Sequence, residues 1–491
     1  MLKSMLEKYY NIFIGIGIAF YYIIIYFLSM KFELKNIKLI GTILIIITLV
    51  FSVISVIKEK KNYEIINYKK LIIGIMIVGI IIRTVYINYT TIYERQHDVD
   101  GHLDYIEYIT ENKKLPNSNT YQFYHPPLHH IISASWLSIN ESLDIEKEDA
   151  REGIQFLTAF YSSMVMFLAY CILKEIQIKD IYKLIVIFIM AVHPTFIILA
   201  GSINNDILLN MFIMFTLLYL IKWYNNSSYK NIIMLAIFTS LSMLSKISGA
   251  LLAFPILFIF VAKFYESFKE QKNIKKYIGQ FSIFAIISLF LGLSYAIRNY
   301  ILFGQSIFFV PIPYGAESLF CGDKSIVNRF TIFSQDFLYL YCNPYEDCNI
   351  WSYIMKSSMF GEYRSDDASN GLFITALIMI NMAVIYLSIS NLLNIKRKAE
   401  TRRNLDIINL MFTIYYIIQI IIYIYGNIKM PYGCTMDIRY IVPNIFIGMF
   451  FIAQSLERKS KNNVIDIYSI VIMFSALSII FELTYLDKLN I

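Results

Sequence analysis

The stretch HDVDGHLD, residues 97–104, sets two histidines and three aspartates within eight residues. Five groups that can hold or move a proton therefore share one short segment. A carboxylate with imidazole neighbours has the makings of a general base. Aspartate and histidine are also common ligands of a divalent ion, so a metal is a second use of the same cluster. The plain alternative is a solvated loop. The density of titratable groups favours chemistry, with Asp98 and Asp100 as candidate catalytic carboxylates and His102 beside them. Asp100 also suits a helix cap.

A second stretch, YHPPLHH at 124–130, adds His125, His129 and His130. The chain has only six histidines, and five of them lie between 97 and 130. That clustering points to one shared site more than to a stiff loop with surface imidazoles. A third stretch, AVHPTFIILAGSINNDILLN at 191–210, brings Asn204, Asn205 and Asp206. These residues either cap the next helix or line a polar cavity, and their types suit both uses. Three cations sit near the ends of apolar runs: Lys246 in LSKISG, Arg298 in AIRNYILFG and Arg439 in MDIRYIVP. An ionisable group in such a run is expensive and suggests function, although long basic side chains also snorkel to an interface. Cations on the same side as an acidic cluster suit an anion such as a phosphate, which arginine can grip with two parallel bonds.

The elements that position these groups are apolar. The chain has 491 residues, is 57% hydrophobic and 16% charged, and its mean hydropathy is +0.56. Runs such as LIGTILIIITLVFSVISVI are long enough to cross a bilayer as a helix, which takes about 20 residues. They are continuous and not alternating, which excludes a β-barrel. The expectation is an all-α polytopic membrane protein with about thirteen spans by the length criterion. Their approximate positions are 9–29, 37–57, 71–90, 154–173, 181–200, 205–223, 231–247, 249–264, 278–298, 371–393, 405–425, 439–455 and 464–483. The first run lacks a small-residue cleavage site and reads as a retained span.

Lys and Arg concentrate in the loops 58–70, 263–276, 394–404 and 456–463, which the positive-inside rule assigns to the cytoplasm. The net charge of +7 is thus an orientation signal, and no nucleic-acid partner is expected. The N-terminus is then inside, and two long loops, 91–153 and 299–370, fall outside. The chain divides into N-terminal spans (1–90), the first outer loop, central spans (154–298), the second outer loop and C-terminal spans (371–491). In the first loop, Leu103, Ile106 and Ile109 recur at helical spacing, and LHHIISASWLSI follows a Pro-Pro pair. Two short amphipathic helices on the membrane surface are expected there. Cys171 lies within a span. Cys321, Cys342, Cys348 and Cys434 fall in outer loops, where disulfides can form, although pairing is not readable from sequence.

In order, these stretches resemble the GT-C superfamily of polytopic glycosyltransferases, in its protein O-mannosyltransferase and aminoarabinose-transferase branch. The carriers are HDVDGHLDYIEYI, YHPPLHH, HPTFIILAGSINND, LSKISG, RNYILFG and RYIVP, spread over roughly residues 91–445. The resemblance implies a sugar carried on a polyprenyl phosphate and moved to an acceptor hydroxyl at the outer face. A loop carboxylate would be the base, His102 and His125 would orient substrate, and Lys246, Arg298 and Arg439 would hold phosphate. Asn205 and Asp206 would join them in binding substrate. Where the family often carries Asp-Glu, this chain has Asp-Val-Asp, so both Asp98 and Asp100 stand as the base. No cofactor is required by these residues, though a divalent metal is compatible with them. The alternatives are a transporter or flippase of a lipid-linked sugar and a polysaccharide polymerase or ligase. The sugar and the acceptor are not encoded in any stretch that can be read.

Overall fold

In hydrocarbon, a chain can satisfy its own backbone polar groups only as a helix or a closed barrel. The computed structural model describes residues 2–31, 68–94, 98–271, 274–309, 317–331, 348–361 and 403–458, with a few single positions beyond. Among the described residues, regular structure is helical apart from one bridge between Phe320 and Tyr432. The helices are α1 (Leu2–Lys31), α2 (Tyr68–Tyr89), α3 (Val99–Asn112), α4 (Leu128–Glu141), α5 (Lys147–Glu152) and α6 (Ile154–Glu175). They continue as α7 (Asp180–Val192), α8 (Pro194–Gly201), α9 (Asp206–Asn225), α10 (Tyr229–Ser245), α11 (Ala253–Lys269) and α12 (Ile274–Gly292). The last are α13 (Ser294–Phe303), α14 (Ile326–Phe330), α15 (Ile350–Phe360), α16 (Arg403–Lys429) and α17 (Pro443–Arg458).

Helix α9 is apolar on all sides, as DILLNMFIMFTLLYLIKWYN shows, and such a helix belongs in the interior. It is almost wholly buried between α6 and α10. Around it, α12 packs on α10, and α2 and α17 flank α7. Large apolar side chains stay exposed on α11 and α12, Leu257 and Phe290 among them. An apolar wall of that extent is suited to lipid. By length and apolar composition, six described helices can cross a membrane, or up to eight if each of two bent pairs is one span. The expected spans 37–57, 371–393 and 464–483 lie wholly or mostly outside the described residues, so the expected thirteen is not a number these helices test.

Several expected spans are broken. The run 181–200 bends by 44° between α7 and α8. Pro194 has no N–H to give Met190, and Thr195 N–H turns to the His193 ring at 3.3 Å, so the carbonyls of Met190 and Ala191 lose their helical partners. The fully buried Arg83 of α2 takes both, at 3.0 Å each, and also reaches Gly79 O and Ser162 Oγ at 2.8 Å. Gly79 lets α2 come this close, since a Cβ there would lie 2.9 Å from Ala191 Cβ. The expected span 278–298 likewise stops at Gly292 and restarts at Ser294. The last described span is preceded by two 3-10 turns and a 47° bend.

The helix ends sort into two groups. At one end, Asn225 Nδ2 donates to Glu175 Oε1 at 3.1 Å and Lys263 Nζ to Tyr224 O at 2.9 Å, joining turns that include the basic loop 263–276. At the other, Asn205 Nδ2 meets Ser245 O at 2.9 Å and Tyr105 meets Tyr295 at 2.9 Å. Helices α3 and α4 lie at this second end. Both form where their apolar spacing predicts, but their buried stripes do not face outward. Val99, Leu103 and Ile106 of α3 pack on Ala134 and Leu137 of α4 and on Ile154 and Ile203. Those stripes are satisfied by the protein, while Ile131 and Ile139 of α4 stay exposed. Among the cysteines expected in outer loops, Cys321 and Cys348 form a disulfide with Cα atoms 5.4 Å apart. Cys171 is a free thiol, and Cys342 lies outside the described residues.

Charge-assisted bonds to carbonyls are worth about 1.5–3 kcal/mol each, and losing several at a buried bend leaves bare oxygens. Arg83→Leu is therefore expected to lower the thermal unfolding midpoint in detergent, with a loss of about 3 kcal/mol or more. An unchanged midpoint would show that the bend does not depend on Arg83.

Candidate active site

The second end of the bundle encloses a cavity of about 300 Å³. Asp98, His102, His125, Asp206, Lys246 and Arg439 line its charged part, with Asn205 beside them. Leu251, Ile307, Phe309, Ile422 and Ile441 line an apolar part. The cavity thus joins polar groups to an oily wall.

Asp98 is the N-cap of α3, with φ 63° and ψ 30°. This left-handed conformation is uncommon for a residue other than glycine, though aspartate tolerates it better than most. Its carbonyl takes the first helical bond, from His102 N at 3.2 Å, but its side chain does not cap. The carboxylate, half exposed, meets Arg439 Nη2 at 3.2 Å. Asp100, expected as a possible cap, sits instead in the first helical turn, exposed and outside the cavity lining. The close fit of the loop depends on Gly101, where a Cβ would come within 2.4 Å of Gln122 Cγ. That contact seats the 3-10 turn Tyr121–Tyr124, which leads directly to His125.

The third stretch divides its work. Asn204 Oδ1 accepts from Asp206 N at 3.0 Å, which holds the turn entering α9, whose N-cap is Asn205. Asn205 and Asp206 face the cavity. Asp206 Oδ1 pairs with Lys246 Nζ at 2.5 Å, both side chains largely buried. Lys246 lies where α10 ends, and its Nζ stands 5.0 Å from the centre of the Tyr440 ring. Arg439 approaches the same ring at 5.3 Å. Tyr440 is thus shared by both cations, and such faces attract positive charge.

Arg298 does not line the cavity. Its guanidinium donates to Pro116 O at 2.6 Å and Asn299 Oδ1 at 2.9 Å, bracing the loop between α3 and α4. Seven of the nine residues singled out in the sequence therefore converge, and Asp100 and Arg298 stand apart. His97 lies outside the described residues. Sequence reasoning missed the tyrosines Tyr124, Tyr295 and Tyr440 and the amide Gln419, all of which line the cavity. Tyr124 and Tyr440 were within quoted motifs. Gln419 is a lone amide in the apolar run TIYYIIQIIIYIY, a costly placement that could have marked it. Among the described residues no three His, Cys, Asp or Glu side chains converge as a metal-ligand set.

The four histidines of α3, α4 and the Pro-Pro loop are buried. Burial pushes His102 down to about 4, against the pull of Asp98 and Asp206. It pushes His129 down to about 3, and holds His125 and His130 well below the usual histidine value. Each group binds a proton more readily unfolded, near 6.5, than folded. Their stability contribution is then complete above about pH 6.5 and is lost as pH falls from there towards 4. The thermal midpoint is expected to be flat from pH 8 to 7 and to fall steeply from 6.5 to 5. His129→Phe, which removes one of these groups, is expected to shallow that slope. A midpoint independent of pH over 7 to 5 would mean that these rings bind protons as readily in the fold as in the unfolded chain.

Three comparisons bear on this geometry. No curated protein matches the chain. In the solved structures the chain is similar to the oligosaccharyltransferase AglB of Archaeoglobus fulgidus, seen with an inhibitory peptide and a dolichol-phosphate, at 14% identity and a TM-score of 0.44. That alignment covers 85% of this chain and 56% of the other. A second Archaeoglobus fulgidus oligosaccharyltransferase structure, with Zn and sulfate, matches at 13% identity and a TM-score of 0.39, covering 82% and 53%. The chain thus spans little more than half the length of those proteins. Residues 134–303 match the family model described as dolichyl-phosphate-mannose-protein mannosyltransferase, a stretch that holds the His-Pro, LSKISG and Arg-Asn motifs. Over residues 134–303, then, the chain is similar to the dolichyl-phosphate-mannose-protein mannosyltransferase family.

Proposed function

We propose that the chain is a membrane glycosyltransferase that moves a sugar from a polyprenyl-phosphate carrier to an acceptor hydroxyl at the outer membrane face. The observation that carries this reading is the meeting of Asp98 and Asp206 with Lys246 and Arg439 around one cavity with an apolar wall. A lipid-linked sugar phosphate needs an anion site, a polar pocket and a greasy flank together. The outer face follows from the basic loop 263–276 lying at the opposite helix ends, given the positive-inside rule.

Asp98, and not Asp100, is the base in this proposal, because Asp98 lines the cavity. Its carboxylate takes the proton of the acceptor hydroxyl. The hydroxyl oxygen bonds to the anomeric carbon, and the bond from that carbon to the phosphate oxygen breaks. The electron pair leaves with the phosphate. Lys246 and Arg439 exchange their present carboxylate partners for phosphate oxygens and stabilise that charge as it develops. Asn205 and His125 position the sugar, and Arg298 acts at one remove by holding the loop.

The experiment incubates purified protein with labelled polyprenyl-phosphate sugars and follows transfer. Removal of a general base costs about 10²–10⁴ in rate. Asp98→Asn is expected to lose transfer by at least about a hundredfold while still binding donor, and Asp100→Asn to stay near the wild type. Full transfer by Asp98→Asn would remove Asp98 as the base. Donor binding with no transfer to any hydroxyl acceptor would favour the transporter reading.

A further inference from the structure

We propose that Tyr124 is a further phosphate-binding residue: its phenolic O–H donates to an oxygen of the carrier's phosphate and holds that phosphate at the boundary between the oily and the polar parts of the cavity. The proposal rests on the reading of the substrate as a lipid-linked sugar phosphate. It adds a neutral ligand to the two cations, Lys246 and Arg439.

Four tyrosines line the cavity among the described residues, and three of their hydroxyls are engaged by the protein. Tyr295 Oη donates to Phe123 O at 2.7 Å and meets Tyr105 Oη at 2.9 Å. Tyr423 Oη donates to Met436 O at 2.7 Å. Tyr440 Oη donates to Cys434 O at 3.3 Å and accepts from Arg439 Nη2 at 3.4 Å. The Tyr124 hydroxyl bonds to no described residue. Nor is it walled in. Both amide atoms of Gln419, on the same lining, are sealed by their neighbours, whereas Tyr124 is half-buried and its oxygen stays reachable. A phenol offers one O–H, and here that donor is unused.

Its position says which oxygen it meets. The Tyr124 ring lies against His125 with centroids 4.0 Å apart and meets Phe309 edge-on at 6.1 Å. His125 belongs to the charged part of the lining and Phe309 to the apolar part. Tyr124 therefore stands on the seam between them. A sugar joined to a polyprenyl chain through phosphate must lie the same way, with the chain on the oily wall and the sugar among polar groups. The phosphate then falls on the seam. The ring is also preorganised. Tyr124 ends the 3-10 turn that Gly101 seats against α3, and Pro126 and Pro127, each with a fixed φ, follow His125 directly. Asp98 is the N-cap of that same helix, so the phenol and the base share one support.

Burial holds the Tyr124 hydroxyl above the ordinary tyrosine range, so it stays an O–H donor at neutral pH. The carried phosphate is a diester with a single negative charge. As the bond from the anomeric carbon to the phosphate oxygen breaks, the electron pair gives the leaving monoester a second charge. A fixed donor at that phosphate is worth more after the break than before it. Tyr124 keeps its proton throughout, because the acceptor's proton goes to Asp98.

The test measures binding of two probes to the full-length protein: a polyprenyl phosphate bearing no sugar, and the uncharged polyprenol of the same length. Tyr124→Phe keeps the ring against His125 and Phe309 and removes only the hydroxyl. It is expected to lose about tenfold in affinity for the polyprenyl phosphate, the worth of one hydrogen bond to a charged group. Polyprenol is expected to bind both proteins equally. The ratio of the two affinities within each protein reports the hydroxyl even where the variant is less stable. In turnover of a lipid-linked sugar, kcat is expected to fall about tenfold, with a smaller rise in donor KM. An unchanged affinity for the polyprenyl phosphate overturns the proposal, and so does an equal loss for polyprenol, which would assign Tyr124 to the wall for the chain. A wild type that binds the polyprenyl phosphate more tightly than the variant, yet transfers sugar to no acceptor, counts against the transferase reading alone.

Discussion

Two ion pairs, Asp98 with Arg439 and Asp206 with Lys246, set the terms for everything around them. Unit charges about 4 Å apart attract by roughly 4 kcal/mol at an effective dielectric near 20. Taking a lone ion out of water costs several kcal/mol. The two magnitudes are close, so neither member of a pair is comfortable alone, and both must arrive together. The fold achieves this at helix ends, where a side chain can reach water on one flank and a partner on the other. Asp98 is half exposed while Arg439 is almost wholly buried. That asymmetry leaves the carboxylate open to a ligand while the cation stays fixed.

Charge is only part of the polar interior here. Four imidazoles are buried at the cavity, His102 and His125 lining it and His129 and His130 beside them, and a tyrosine pair closes the stack. The helices themselves break where polar groups must leave them: at His193–Pro194, between α12 and α13, and in the turns before Pro443. Each break frees carbonyls, and non-helical backbone at membrane depth is tolerated only where protein re-satisfies it. Arg83 performs that task for the first break.

Much of this was legible in the chain. The apolar runs announced helices, and the scarcity of histidine made its clustering between 97 and 130 conspicuous. The Asn-Asn-Asp turn held two readings because both are true: Asn204 holds the entry to α9 and Asn205 is its N-cap, while Asn205 and Asp206 line the cavity. What stayed hidden depends on direction and not on type. Nothing in the spacing says that Asp98, in its left-handed turn, aims at Arg439 while Asp100 aims away. Nothing in AIRNYILFG says that Arg298 clasps Pro116 O. The tyrosines were obscured by number, since 39 tyrosines offer no contrast against which three stand out.

The pairing of Asp98 with Arg439 joins positions 341 residues apart. A chain made from its N-terminus exposes the acid long before its counterion exists. The turn that carries Arg439 is further tied to Cys321, whose N–H donates to Pro431 O at 2.7 Å, and Cys321 is bonded to Cys348. Closure of the cavity around Asp98 therefore waits on the segment that carries Arg439.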